Sequence, residues 1–160
     1  MERKLSTLEF RLQQRPSVKF ENGSLQSERN YLDFVIDGES LCDRARRAGY
    51  DVVSPMAKEW VIPEIEKSVG RLLLKDPADL PNDRRSLLVC GECGDIGCGA
   101  ISIVIDTSEN IVTWRDFGYE NNYEPDVHTE KLKELGPFEF AADEYKRKLL
   151  DALEQLKDNK

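Results

Sequence analysis

The chain reads as an α+β fold: a mostly antiparallel sheet with a central three-stranded meander, packed by two main helices. Three observations predict it. Leu8, Phe10 and Leu12, and again Leu32, Phe34 and Ile36, alternate with polar or smaller residues at the period of a half-buried strand. Ile65, Val69, Leu72 and Leu73, and later Tyr145, Leu149, Leu153 and Leu156, recur at helical spacing. Between these helices lie three β-rich runs, residues 86–90, 100–106 and 111–117, joined by short linkers.

Each element has a local cause. Pro16 ends the first strand, and Val18 and Phe20 continue briefly to the Asn22-Gly23 turn. That turn is not tight against both alternating runs, so it does not make them a two-residue hairpin. The second run stops at Asp37-Gly38. Ser40 is placed to cap a short helix ending at Gly49, with Asp43 in its first turn. Pro63 suits the first position of a helix, where its missing N–H costs nothing. Residues 76–83 are loop by composition, and residues 107–110 form a turn within the meander. Trp114 and Phe117 belong either to an aromatic partner-binding group or to the core, one on each face of the strand or through a bulge. One of the two is expected in the core, and Phe138 and Phe140 are anchors before the last helix.

With 160 residues, 39% of them hydrophobic, the chain is long enough for one globular domain, residues 1–160, with a core of its own. The N-terminal residues lack the apolar stretch of a signal peptide, and no run is long enough to span a bilayer. A cytoplasmic location follows as the expectation, with thiols kept reduced.

Three of the four cysteines, Cys90, Cys93 and Cys98, fall in one glycine-threaded segment between two strands. Cys90-Gly-Glu-Cys93-Gly has the form of a zinc knuckle, whose backbone N–H groups point at the sulfurs. Zinc takes four ligands. With Cys98 as the third, the fourth would be Cys42, His128, Asp95 or a water. The same thiols could instead do redox chemistry, but Glu92 and Asp95 beside them oppose a reactive thiolate. They also suit a plain role as small buried groups shaping a tight hairpin. A phosphate cradle is excluded, because the segment opens into a strand and carries two acids. His128 reads as an ordinary exposed histidine in a polar stretch.

Charge is distributed unevenly. Residues 1–91 are neutral, whereas residues 92–144 carry thirteen acidic groups against Arg115, Lys131 and Lys133. Such a segment repels phosphate backbones, which argues against nucleic acid, and attracts a basic protein. Aromatic and polar groups interleave there. Asp116, Tyr119, Glu120, Asn121, Asn122, Tyr123 and Glu124 are the candidate partner-binding residues.

The segment from Leu87 to Ala100, residues 112–123 and Gly136-Pro-Phe-Glu-Phe140 together resemble a family of small bacterial proteins without an assigned mechanism. Some of its members are labelled oxidoreductases. Members often carry proline where this chain has Gly91. The likeness runs from Asp33 to the C-terminal helix, and it implies no catalytic residue.

These readings give a function expectation. The chain would be a non-enzymatic binding protein whose acidic, aromatic-bearing surface engages a basic protein partner, in the manner of immunity proteins that neutralise nuclease toxins. The cysteine hairpin would be structural, with or without zinc. The alternative is a thiol- or metal-dependent oxidoreductase acting through Cys90, Cys93 and Cys98. The first reading requires the carboxylates to form one face and the sulfurs not to line an open cavity.

Overall fold

In a computed structural model, which describes residues 4–158, two antiparallel sheets share one apolar core with three α-helices. The smaller sheet has the order β1-β4-β5, from β1 (Leu8–Arg15), β4 (Arg29–Ile36) and β5 (Glu39–Ser40). Strands β1 and β4 pair along their whole length, from Leu8 opposite Ile36 to Arg15 opposite Arg29. The chain between them makes a separate hairpin, β2 (Val18–Lys19) with β3 (Leu25–Gln26), and Asn22-Gly23 turns that one. Asp37 (φ 51°) and Gly38 (φ 84°) form the two-residue turn from β4 into β5, the left-handed pair such a hairpin needs.

The predicted meander is the centre of a five-stranded sheet ordered β10-β9-β8-β7-β6. Its middle strands are β7 (Arg85–Cys90), β8 (Ala100–Ser108) and β9 (Ile111–Glu120). Two short edges were missed as strands: β6 (Val52–Val53) and β10 (Phe138–Ala141). Opposite Ile103 the register of β9 slips, with Asp116 at φ 55°. This bulge lets both Trp114 and Phe117 reach the core.

Ser40 Oγ accepts the Asp43 N–H and caps α1 (Leu41–Arg47) as expected. Helix α2 (Ile62–Leu72) starts one residue before Pro63, and α3 is Ala142–Asp158. Helices α2 and α3 pack on each other, and α3 also contacts β1, β9 and β10. Trp114 joins the layers: its ring meets Phe34 of β4 at 5.7 Å and Phe140 of β10 at 5.0 Å. Its indole N–H donates to Tyr145 Oη (3.1 Å), which donates to the Leu72 carbonyl (2.6 Å), linking sheet, α3 and α2. Among the described residues no helix is long and apolar enough to cross a membrane.

Candidate metal centre

The loop from β7 to β8 carries Cys90 at the end of one strand and Cys93 and Cys98 in the turn. Its backbone is folded by its own polar groups. The Gly94 N–H donates to the Cys90 carbonyl (2.9 Å), and the Asp95 N–H points at Cys93 Sγ (3.4 Å). Asp95 Oδ1 accepts the Gly97 N–H (2.8 Å), and the Cys98 N–H returns to the Asp95 carbonyl (3.1 Å). Gly94 stands at φ 71°, where a Cβ would press on the Trp60 ring at 3.1 Å. Glycine is therefore required there by both backbone and neighbour.

The three sulfurs lie within 4.8 Å of one another, with Cys93 Sγ and Cys98 Sγ 3.2 Å apart. Two thiolates on one tetrahedral zinc sit about 3.8 Å apart, given Zn–S bonds of about 2.3 Å. One pair stands closer than that and none is farther than 4.8 Å, so the group could hold a metal ion. Cys90 is half-buried, Cys93 and Cys98 are exposed, and all three are free thiols.

Among the described residues, none of the three side chains considered from sequence as a fourth ligand, Cys42, His128 and Asp95, joins this group. Cys42 is buried on α1, where burial first and then Asp33 push its thiol well above the usual range. His128 Nε2 is engaged with Glu124 at 2.7 Å. Asp95 spends a carboxylate oxygen on the loop itself. Among the described residues the group thus offers three ligand atoms to a metal.

Distant residues clamp the loop from one side. The Arg15 side chain, 5% exposed, reaches Asp51 (2.7 Å) and Glu92 (3.0 Å). Glu92 also accepts the Ser27 hydroxyl (2.6 Å) and the Ser27 N–H (3.0 Å). These contacts, the Ser27 hydroxyl foremost, pull the Glu92 carboxyl down to about 2. Arg29 donates to the Gly91 carbonyl (3.1 Å) and the Glu92 carbonyl, and its guanidinium lies 4.8 Å over the Trp60 ring. Glu92 is thus committed to Arg15 and Ser27 and is not a bare charge facing the thiols.

The candidate partner-binding residues buttress the other side. Asn122 N–H holds the Gly97 carbonyl (2.9 Å), and Tyr119, stacked on Tyr50 at 4.5 Å, directs its hydroxyl at the Cys98 carbonyl (3.4 Å). Glu120 is buried, accepting from Ser102 Oγ (2.6 Å) beside Arg84 (3.4 Å). Asp116 pairs with Arg115, and Asn121 Oδ1 caps the N–H groups of Tyr123 and Glu124. Asp116, Asn122, Tyr123 and Glu124 of the seven are exposed, Tyr123 at 78%. Arg15, Ser27, Arg29, Asp51 and Trp60 were not found from sequence, and no local signal marks them.

Beside the loop lies an open cavity of about 470 Å³. Cys93, Gly94, Asp95 and Ile96 form one wall, facing Trp60, Val61, Glu64 and Ser68 near the start of α2. No family model matches the chain, and neither the curated proteins nor the solved structures gave a match. The resemblance read from the cysteine segment is neither supported nor opposed by these comparisons.

Proposed function

We propose that the chain is a zinc-binding protein whose Cys90, Cys93 and Cys98 hold one Zn²⁺ as a tri-thiolate. The observation that carries this reading is the sulfur geometry: three Sγ atoms within 4.8 Å, with a backbone N–H already directed at one of them. Zinc is favoured over harder cations because every protein donor is sulfur. When bound, it would fix the loop and act as a Lewis acid at its remaining position. The loop's arginine and aromatic supports keep the three donors together for it.

The acidic-surface expectation has less support. Four of the thirteen carboxylates in residues 92–144 are met by arginine: Glu92, Asp106, Asp116 and Glu120. Cys93 also lines an open cavity, which that reading required the sulfurs not to do. What favours a basic protein partner is the display of Tyr123 next to Glu124, with Asp126 close by in the chain. Recovery of a basic partner at low salt, lost in Tyr123→Ala, would support that second reading.

The zinc reading is tested by native mass spectrometry and elemental analysis of protein purified without chelator. One zinc per chain is the expected result. Protein that stays metal-free in micromolar zinc refutes it, and bound iron with sulfide would move the assignment to the oxidoreductase alternative.

A further inference from the structure

We propose that the metal's fourth position is filled by a small exogenous aminothiol seated in the cavity between the cysteine loop and α2. This rests on the zinc reading. Ligand count is the first argument: zinc completes four positions, the chain brings three sulfurs, and Cys42, His128 and Asp95 are engaged elsewhere. Metal centres with three protein ligands keep a position that an outside group can take.

Location is the second argument. Cys93 belongs both to the sulfur group and to the cavity wall, so a ligand in the cavity approaches the metal from the Cys93 side. The volume, about 470 Å³, falls within the usual range for small-molecule sites, roughly 300–1,000 Å³.

Chemistry selects the ligand class. Borderline-soft zinc already bound by sulfur accepts a further thiolate readily. The thiol sheds its proton to solvent as its sulfur replaces a metal-bound water, and no covalent bond within the protein changes. Asp79 and Arg71 pair with each other in the cavity wall (3.7 Å), which leaves Glu59, Glu64 and Asp95 in excess, so an ammonium is favoured there and a carboxylate is repelled. Trp60, Val61 and Ile96 suit the short alkyl link between the two groups.

The test uses the full chain loaded with Co²⁺ in place of zinc, titrated with cysteamine or with mercaptoacetate, short thiols of opposite charge, with affinities compared per thiolate so that their different thiol acidities cancel. Cysteamine should raise the sulfur-to-cobalt charge-transfer band saturably, binding at least about tenfold more tightly than mercaptoacetate. Ser68→Phe, which fills the cavity without touching a metal ligand, should weaken cysteamine at least about tenfold and leave the thiol-free cobalt spectrum unchanged. Glu64→Lys, on the exposed first turn of α2, should narrow or reverse the preference between the two thiols. A chain that binds cobalt through three thiolates yet shows no response to cysteamine overturns the proposal and leaves the zinc reading standing. Equal binding of the two thiols, indifference to Ser68→Phe, or cobalt stripped into solution by the thiol also overturns it. Failure to bind cobalt at all refutes the zinc reading itself.

Discussion

Replacing Arg15 by methionine keeps most of the buried stem and removes the charge that ties the two sheets to the cysteine loop. Arg15 donates to Asp51 through Nε (3.1 Å) and Nη2 (2.7 Å), and through Nη1 to Glu92 (3.0 Å) and the Ser27 carbonyl. Breaking a buried ion pair costs about 3–5 kcal/mol when the orphaned partner stays buried. Here the orphans do not: the Asp51 and Glu92 side chains are 57% and 45% exposed and regain water. The expected loss is therefore lower, about 2 kcal/mol, which for a chain of this size lowers Tm by roughly 4–8 °C. The functional consequence should be larger than the stability loss implies. Glu92 lies between Cys90 and Cys93 and its carboxylate keeps only Ser27 once Arg15 is gone, so the spacing of the two sulfurs loosens, and outer-shell losses of this kind cost about 10–100-fold in metal affinity. Zinc affinity measured by competition with a chromogenic chelator, alongside thermal melts of both forms, checks this. A destabilised Arg15→Met variant whose zinc affinity stays within about twofold of the parent would show that the clamp holds the fold together but does not position the ligands.

Serine at Cys90, Cys93 or Cys98 should each lower zinc affinity at least about 100-fold, whereas Cys42→Ser should keep one zinc per chain, both read by native mass spectrometry. Acid should release zinc before it releases the loop. Glu92 has a folded value near 2, below its ordinary value of 4.5, so its anchoring is complete above the ordinary value and is lost only as pH falls toward 2. Thiolates take up protons well above that range. A pH titration followed by chelator colour and near-UV circular dichroism should show two separate transitions, and a single shared one would contradict the assignment. Tyr145→Phe strands the Trp114 N–H in the core and takes the hydroxyl from the Leu72 carbonyl. The expected cost is about 2–3 kcal/mol, or a Tm lower by roughly 5–10 °C, by denaturant and thermal unfolding.

The parts of the fold legible from sequence are those with a local cause. Ser40 as a cap, Pro63 near a helix start and the turn at Asp37-Gly38 each act over a few residues, and each stands where expected. Strands of two to four residues such as β6 and β10 carry too few positions for a period to show. The division into two sheets was also hidden, because β1 finds β4 across an intervening hairpin. The cysteine group was legible from spacing alone, yet its surroundings were not. Arg15 contacts Asp51 and Glu92 at sequence separations of 36 and 77 residues, distances at which one sequence gives no pattern. The acidic segment shows what summed charge leaves out: partners from elsewhere in the chain, such as the Arg84 that Glu120 meets in the interior.

Holding the cysteine loop in place has a physical consequence for how metal and fold are coupled. Ordering a glycine-rich segment costs about 1–2 kcal/mol per residue, and in small metal domains the metal itself supplies that energy, so they unfold without it. Here the supports come from the protein: Arg15 and Arg29 on one side, Asn122 and Tyr119 on the other, and Trp60 beneath Gly94. The free energy of binding a metal would then not be consumed in folding the loop, and a bound metal could exchange a ligand while the scaffold stays ordered. A centre arranged in this way suits transactions at the metal's open position better than service as a staple. The cavity beside Cys93, and not the surface charge, is therefore where a bound metal would meet an outside ligand.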